Sequence, residues 1–385
     1  MFFSHSKGEL ILILDVQSSI VRGTLVHSSE EHLPTILYTH NVPIAYKHHA
    51  RSGYLVKMAL KGVHEVINEV LKHIHVRATT EEIPKKISKV HYVLSSPWVV
   101  SQAKILSVSF KKDTAINRPY ILNLIAEERA KLISGQGGAE TKDITIIEEK
   151  VFDVRLNGYS VASWDNQETK ELEVSFVASL AGGRMVNRFV EACDHAVHRS
   201  KVQLHSSLFL QHVGIQTIIS DRSSYALIHV HGELTDVAII HAHSCTFFGS
   251  YPFGIHTVVR TLAREANISE QSADSVLNMT MQGNLDELHA QKEDAIIENM
   301  KKGWISEFKK ILKTSTTPNN VPHHVIISGA SHEDFFVKSF LEEYPQTSLE
   351  LLSLDSITPH IAYDSHAERL RLTGLYVIAI SSIKN

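Results

Sequence analysis

The sequence predicts an α/β protein of two domains. Its 385 residues are 43% apolar, which is enough to bury a large core and is more chain than one domain of typical size uses. Two segments, residues 10–26 and 226–240, each have the pattern of a strand, a polar turn and a second strand. Apolar residues recur at helical spacing from Gly53 to His75, which predicts a long amphipathic helix that covers a sheet.

The first hairpin has an acid at the end of its first strand. The apolar run Leu10–Leu14 leads into Asp15, and the polar turn that follows contains Gln17, Ser18 and Ser19. The second strand carries Arg22. Asp and Ser favour turns because their side chains bond nearby backbone N–H groups, so an ordinary turn role is one interpretation of Asp15.

The second hairpin lies between the apolar runs Ala226–Val230 and Val237–Ile240. Its first strand carries His229, and polar residues with one glycine form its tip and the start of its second strand: His231, Gly232, Glu233, Thr235 and Asp236. Thr and Asp also favour turns for structural reasons, so Thr235 and Asp236 have the same alternative interpretation as Asp15.

These segments resemble motifs of the actin-like ATPases, and within that family of the division protein FtsA and the pilus-assembly protein PilM. The motifs follow one another in the family's order from Leu10 to about Ile380. They are the first phosphate motif (Asp15–Arg22), the second phosphate motif (His229–Asp236), the Pro-x-Gly that follows it (Tyr251–Gly254), the adenosine motif (Val325–Ser331) and the last connecting helix (Leu372–Leu375).

The resemblance implies an actin-like (ribonuclease-H-like) two-lobe α/β fold with a small α+β domain inserted in the first lobe. The inserted domain is expected at residues 109–199, where the pattern predicts a helix, strands and a helix: Pro119–Ile133, Ile144–Leu156, Leu172–Leu180 and Gly183–Ala196. The first lobe is then residues 8–108 with 200–224. The second lobe is 225–385, with a helical subdomain at about 261–313.

The resemblance also implies a nucleotide site for ATP or ADP with Mg²⁺, with the hairpins facing each other across a cleft. The residues at the matching positions are Asp15, Gln17, Ser18, Ser19, Arg22, His229, Gly232, Glu233, Thr235, Asp236, Gly254, Gly329, Ala330 and Ser331.

Several of these positions depart from the family pattern. Gln17 and His231 stand where the family has glycine, which a phosphate cradle uses because a side chain blocks the backbone N–H groups. His229 stands where the family has an acid that organises the metal, and Mg²⁺ prefers oxygen ligands. Ala330 replaces a second glycine, and Ala273–Leu277 lacks the family's lysine. We therefore expect weak or no nucleotide binding and assign no catalytic residue; the departures favour a protein without catalysis over an enzyme, with a weak ATPase kept as an alternative.

Histidine pairs give a second chemical hypothesis. His229 and His231 lie two apart on one strand, and His241 and His243 repeat this spacing, so two pairs of imidazoles are candidate ligands for zinc or copper. The chain contains 25 histidines, which weakens any argument from local clustering.

Composition argues against several other classes of protein. The net charge is −4 and neither half carries a dense Lys/Arg stripe, so nucleic acid is not an expected partner. Two cysteines, Cys193 and Cys245, predict no disulfide framework. No apolar run approaches the ~18–20 residues that cross a bilayer, and the first residues lack a signal-peptide pattern. We expect a cytoplasmic protein.

The resemblance implies a bacterial cytoplasmic scaffold, peripheral at the inner membrane face through its partners. FtsA-like proteins append a lipid-binding helix, whereas this chain stops at Asn385, soon after the last predicted helix; we expect a PilM-like role in type IV pilus assembly for that reason. The expected partner is the cytoplasmic tail of a membrane assembly protein, docked on the inserted domain, with self-association as a further expectation. The alternatives are an FtsA-like division protein that polymerises, a weak ATPase and a histidine-based metal-binding protein.

Overall fold

The structure is a computed structural model, and it describes residues 8–45, 52–77, 83–135, 143–197, 201–282, 287–315, 320–329, 332–365 and 367–383. Contacts divide the chain into two compact units. The first unit is Met1–Val99, Gly183–Arg222 and Leu351–Asn385, and the second unit is Val100–Gly182 and Ser223–Glu350.

The first unit is built on a six-stranded sheet with the strand order β15-β3-β2-β1-β4-β9. Its strands are β1 (Glu9–Val16), β2 (Ile20–Ser28), β3 (Thr35–Pro43), β4 (Ile87–Leu94), β9 (Lys201–Ser206) and β15 (Ala362–Tyr363). Its helices are α1 (Ser52–Arg77), α3 (Gly183–Ala196), α4 (Ser207–Ile218), α9 (Leu354–Ile357) and α10 (Arg371–Ser382). β1 pairs antiparallel with β2 and parallel with β4, and its residues are buried from Leu10 to Val16, as its apolar run predicts.

Helices α4 and α10 pack closely in the first unit. A Cβ on Gly214 would lie 2.5 Å from Leu375 Cδ1 and 2.7 Å from the Leu375 carbonyl oxygen, so only glycine permits this approach. Ser207 Oγ and Tyr376 OH share a hydrogen bond of 2.7 Å between the same helices. This packing places the C-terminal helix in the first unit.

The second unit contains two sheets. The five-stranded sheet has the order β12-β11-β10-β13-β14, and the four-stranded sheet has the order β5-β8-β6-β7. Its strands are β5 (Val99–Ile116), β6 (Ile144–Leu156), β7 (Tyr159–Ser160), β8 (Gln167–Gly182), β10 (Tyr225–Val230), β11 (Thr235–His241), β12 (Ser244–Tyr251), β13 (His324–Gly329) and β14 (Ser348–Leu351). Its helices are α2 (Arg118–Gly135), α5 (Ile255–Ala266), α6 (Glu270–Gln282), α7 (Glu287–Leu312) and α8 (Glu333–Glu343).

A buried polar network joins the two sheets of the second unit. Asp153 Oδ2 on β6 accepts hydrogen bonds from Ser244 Oγ at 2.9 Å and from Arg155 Nε at 2.8 Å. Arg155 Nη2 donates to the carbonyl oxygen of Ala242 at 2.8 Å, and Cys245 N donates to Ser175 Oγ at 3.0 Å. The inserted strands are thereby fixed to the turn between β11 and β12.

The elements predicted for the inserted segment agree with the structure: β6 and α3 have the predicted bounds, and α2 and β8 contain the predicted helix and strand. The domain boundaries remain a prediction. The contact units place α3 in the first unit, where it packs on α1, and also place residues 351–385 there.

Within the part of the chain that the structure describes, no helix is long and apolar enough to cross a membrane. Cys193 and Cys245 are buried free thiols.

Candidate functional site

The carboxylate of Asp15 is bound by side chains of its own hairpin. Asp15 and Arg22 are register partners across β1 and β2, so the strand pairing itself brings the two side chains together. Arg22 Nη1 lies 3.1 Å from Asp15 Oδ2, and Gln17 Nε2 donates to the same oxygen at 2.9 Å. Arg22 Nε donates to Asn41 Oδ1 at 2.8 Å, and Asn41 Nδ2 donates to Glu368 Oε2 at 2.7 Å. The acid of the first hairpin is therefore neutralised by a buried arginine.

The turn of the first hairpin is closed by backbone bonds. Gln17 N donates to the carbonyl oxygen of Ile20 at 2.9 Å, and the Ser19 carbonyl accepts from Ile44 N at 2.7 Å. Trp98 Nε1 donates to the Gln17 carbonyl at 2.9 Å. Gln17 and Ser18 are buried, and Ser19 is half-buried. Gln17 N is thus engaged within the turn.

Two histidines of the second hairpin stack on each other. The rings of His229 and His231 have centroids 5.4 Å apart, and both side chains are buried. His229 Nδ1 lies 3.0 Å from Ser328 Oγ on β13, within hydrogen-bonding distance. His231 Nε2 lies 3.3 Å from Asp236 Oδ2. The acid of the second hairpin is thus covered by an imidazole, just as Asp15 is covered by a guanidinium.

Helix α5 begins against the tip of this hairpin. Ile255 N donates to the carbonyl oxygen of His231 at 3.2 Å, and His256 N donates to that of Gly232 at 2.8 Å. A Cβ on Gly254 would lie 2.3 Å from the His231 carbonyl oxygen and 2.5 Å from that of Gly232. These contacts explain the glycine of the Tyr251–Gly254 segment, because the helix start touches the hairpin backbone. Two N–H groups that a helix terminus offers to anions are used within the protein.

Glu233 is held by two bases of α5. Arg260 Nη1 and Nη2 donate to its two carboxylate oxygens at 3.0 and 2.6 Å, and His256 Nδ1 lies 3.2 Å from Oε1. Burial raises the pKa of Glu233, but the hydrogen bonds and charges of His256 and Arg260 outweigh it and hold the pKa at about 2. Glu233 thus fixes the tip of the hairpin to the helix.

Thr235 connects the hairpin to the helical part of the second unit. Its hydroxyl donates to the Phe253 carbonyl at 2.6 Å and accepts from Trp304 Nε1 at 3.1 Å. Gly329 ends β13 beside Val230, and a Cβ there would lie 3.0 Å from the Val230 carbonyl oxygen. The other two candidate site residues of the expected adenosine motif, Ala330 and Ser331, lie outside the described residues.

The structure brings the predicted residues together in two groups, one in each unit. Asp15, Gln17 and Arg22 form a bonded cluster in the first unit. The second group lies in the second unit, where His229, Glu233 and Thr235 each make a hydrogen bond to a residue of another element. Sequence reasoning missed several partners in these groups, among them Asn41, Arg260, Trp304 and Ser328. Of these four, only Arg260 could have been suggested by the sequence pattern, because it follows His256 by one helical turn on α5.

The two histidine pairs do not form one metal site. β10 and β11 are antiparallel, with Tyr225 opposite Ile240 and His229 opposite Asp236. His241 therefore lies beyond the opposite end of the hairpin, about 13 Å or more from His229 along the strand at 3.3 Å per residue. In the described ranges, no group of three or more His, Cys, Asp and Glu side chains is placed to hold a metal ion.

These residues do not fit Mg²⁺ and a phosphate chain well. The carboxylate of Asp15, which would organise the ion, is covered by Arg22, and the carboxylate of Asp236 is covered by His231. At the position of the family's second metal-organising acid, His229 offers nitrogen to an ion that prefers oxygen. Two N–H groups at the start of α5 donate to hairpin carbonyl groups. Each of the two groups is chemically suited to stabilising its own turn.

Comparison with solved structures identifies the fold. A chain of the structure described as a PilM-PilN type IV pilus biogenesis complex matches with a TM-score of 0.64 and 13% identity, over 97% of this chain and 99% of that chain. The ethanolamine utilization protein EutJ from Carboxydothermus hydrogenoformans matches with a TM-score of 0.45 and 9% identity, over 96% and 88%. A Bacteroides thetaiotaomicron protein of actin-like ATPase fold and unknown function matches with 0.44 and 8%, over 98% of each chain.

No family model and no curated protein matches the sequence. The predicted fold class is confirmed: the chain has an actin-like ATPase fold and is PilM-like in structure. At 13% identity, the match to the PilM-PilN complex establishes the fold alone.

Proposed function

We propose that this protein is a non-catalytic assembly scaffold of the PilM type, which acts in type IV pilus assembly at the cytoplasmic face of the inner membrane. The observation that carries the proposal is the end-to-end match with a chain of the PilM-PilN complex, over 97% of one chain and 99% of the other. By analogy with that complex, the partner is the cytoplasmic tail of a PilN-type membrane protein. The scaffold reaches the membrane through this partner.

The arginine beside Asp15 supports a scaffold without nucleotide chemistry. A carboxylate that binds Mg²⁺ gives up its own bound water to make room for the ion. Asp15 instead already has the buried guanidinium of Arg22 at 3.1 Å. A divalent cation would have to displace Arg22 or share the carboxylate with it, and a second positive charge there is unfavourable. We therefore infer that ATP or ADP is bound weakly or not at all, and we assign no hydrolytic step to these residues.

The outer edge of the inserted sheet suits a peptide partner. In the strand order of this sheet, β6 has β8 on one side and only the two-residue β7 on the other. The described pairing with β7 covers Arg155 and Leu156, and Val161 N donates to the Val154 carbonyl oxygen at 3.0 Å, so the stretch from Ile144 to Asp153 has no described strand on that side. An open edge of this kind accepts an extended chain, whose backbone continues the hydrogen-bond ladder. Val151 on this strand is 42% exposed and offers an apolar contact.

The partner surface is tested by titration of the purified protein with the cytoplasmic tail peptide of the PilN-type protein from the same organism. Val151→Lys should weaken binding at least about tenfold, a loss of about 1.4 kcal/mol, because it places a charge at the edge. The matched control is Val100→Lys, since Val100 is a comparably exposed valine (53%) on β5 at the opposite edge of the same sheet. Equal binding by both variants and the wild type would refute the β6 assignment, and a loss with Val100→Lys alone would move the surface to β5.

A further inference from the structure

A turn of the inserted sheet contains the one Asn-Gly pair of the sequence, Asn157 and Gly158. The two residues connect β6 to the short strand β7, and both are exposed. Both have positive φ angles, 50° for Asn157 and 82° for Gly158, as in the tight turns that join hairpin strands. The pair therefore lies at a hairpin tip that solvent reaches.

The side chain of Asn157 is anchored to the start of β8. Its oxygen Oδ1 accepts hydrogen bonds from Lys170 N and Glu171 N, each at 3.1 Å, and lies 3.0 Å from Thr169 Oγ1. Asn157 N also donates to the Glu171 carbonyl oxygen at 2.8 Å. The amide nitrogen Nδ2 makes no hydrogen bond to the described residues. Three donors thus converge on the oxygen of this amide, while its nitrogen is unconstrained.

These donors surround the atom on which negative charge develops when a nucleophile adds to Asn157 Cγ. Two backbone N–H groups and one hydroxyl at 3.0–3.1 Å have the composition and distances of an oxyanion hole. The Thr169 hydroxyl also lies 2.7 Å from the Glu171 carbonyl oxygen, and its single proton turns to Oδ1 as charge builds there. The arrangement therefore stabilises the tetrahedral adduct of an attack on this side chain.

The backbone nitrogen of Gly158 is the adjacent nucleophile, since its attack on Cγ closes a cyclic imide. A rotation about ψ of Asn157 carries this nitrogen toward the anchored side chain. Gly158 has no side chain to obstruct the approach. A Cβ built on Gly158 would meet nothing within 4 Å, so the tip has room for this movement. β7 moves with the tip, and it has two described register pairs with β6, Arg155–Ser160 and Leu156–Tyr159.

We propose that Asn157 is a site of spontaneous intramolecular deamidation. The Gly158 nitrogen loses its proton to solvent hydroxide and forms a bond to Asn157 Cγ. The bond from Cγ to Nδ2 breaks, and Nδ2 takes a proton from water and leaves as ammonia. Water then opens the cyclic imide. Opening at Cγ gives aspartate, and opening at the backbone carbonyl carbon gives isoaspartate, in which the chain continues through Cγ.

The two products affect the turn differently. Aspartate keeps the backbone and offers a carboxylate oxygen to the same donors, in charge-assisted hydrogen bonds. Isoaspartate lengthens the backbone at the turn, so Leu156 and Tyr159 leave their register. β7 then loses the hydrogen bond that Ser160 Oγ donates to Asp153 Oδ1 at 2.6 Å. Release of β7 would also lengthen the open edge of β6; only the effect of that change on partner binding rests on the proposed function.

The test is peptide mapping by mass spectrometry of the full-length protein during incubation at mildly alkaline pH. We expect Asn157 to gain one mass unit, with one ammonia released for each conversion. Asn166 is the matched control, because it is also exposed and has a positive φ of 63° but is followed by Gln167, whose side chain obstructs the attack. Asn157 should convert at least about tenfold faster than Asn166.

Two variants test the donors around Oδ1. Thr169→Val removes the hydroxyl and should slow the conversion of Asn157 at least about tenfold, whereas Thr169→Ser keeps the hydroxyl and should convert like the wild type. The thermal midpoints of both variants show that the rates compare folded proteins. The proposal is overturned if Asn157 stays unmodified while a free peptide of residues 154–161 is converted, or if Asn157 and Asn166 convert at the same rate. An unchanged rate in folded Thr169→Val would overturn the role assigned to the hydroxyl.

Discussion

Arg22 Nη1 lies 3.1 Å from Asp15 Oδ2, and both side chains are almost completely buried. The pair closes the first hairpin across β1 and β2, at the position where the family resemblance implies a phosphate motif. A buried acid paired with a buried base is stable only as a pair, because each group alone would carry an uncompensated charge.

Loss of the arginine should therefore destabilise the first unit strongly. We expect Arg22→Ala to lower the free energy of unfolding by about 3–5 kcal/mol, since it leaves the Asp15 carboxylate buried without a counter-charge. Urea unfolding followed by circular dichroism measures this. Lys72→Ala breaks an exposed ion pair with Glu69 in the same unit and should leave the unfolding midpoint unchanged. If the two variants unfold alike, the pair has no structural role.

The glycine before α5 should be intolerant of any side chain. Gly254→Ala places a Cβ 2.3 Å from the backbone oxygen of His231, so either the helix start or the hairpin tip must move. We expect a loss of at least about 2 kcal/mol in unfolding free energy. Gly303 on α7 is the control, because its Cβ would meet only Phe253 Cε2 at 3.5 Å. Gly303→Ala should stabilise the helix by about 0.5–1 kcal/mol. Equal effects of the two changes would contradict the packing described at Gly254.

Lowering the pH should weaken the attachment of the hairpin tip to α5, because it protonates Glu233. The pKa of this carboxyl is about 2 in the folded protein, below its ordinary value of 4.5, so its contribution to stability is complete above about pH 4.5 and declines as the pH falls toward 2. We expect Glu233→Gln to reduce the change in thermal midpoint between these pH values. Glu270, exposed on α6, provides the control Glu270→Gln. A pH dependence that is the same in both variants would disprove this role of the ion pair with Arg260.

The histidines of the second hairpin give a prediction about nucleotide binding. His229→Asp with His231→Gly restores an acid and a bare backbone at the two positions where the family has them. We expect this double variant to bind a fluorescent ATP analogue more tightly in the presence of Mg²⁺ than the wild type does. His241→Asp with His243→Gly makes the same changes at the other end of the hairpin and should leave the affinity unchanged. No gain in the first variant would mean that the site differs from the family's in more than these two side chains.

Much of the fold was predictable from the sequence because its signals are local. Continuous apolar runs predicted β1 and β10, and apolar residues at helical spacing predicted α1. β-branched residues between polar boundaries gave β6 with its bounds of Ile144 and Leu156. The resemblance of the motifs, in their order, to those of the actin-like ATPases implied the fold class, which the comparison with solved structures confirmed.

The contacts that characterise the candidate site were not predictable in the same way, because they depend on register and on long-range packing. Asp15 and Arg22 are seven residues apart, and only the strand register makes them neighbours. Glu233 meets Arg260 from 27 residues away, and Thr235 meets Trp304 from 69. The separation of His241 from His229 also follows only from the strand register, because spacing within a strand does not say at which end of a hairpin a pair lies.

The most direct test of the scaffold proposal is the affinity of the purified protein for the cytoplasmic tail of its PilN-type partner, measured by calorimetry with and without ATP and Mg²⁺. The account predicts saturable binding with the same dissociation constant in both conditions, and no release of phosphate beyond the background rate. Binding that requires ATP, or brisk ATP turnover that is abolished by Asp15→Ala, would contradict it and make the protein a working ATPase.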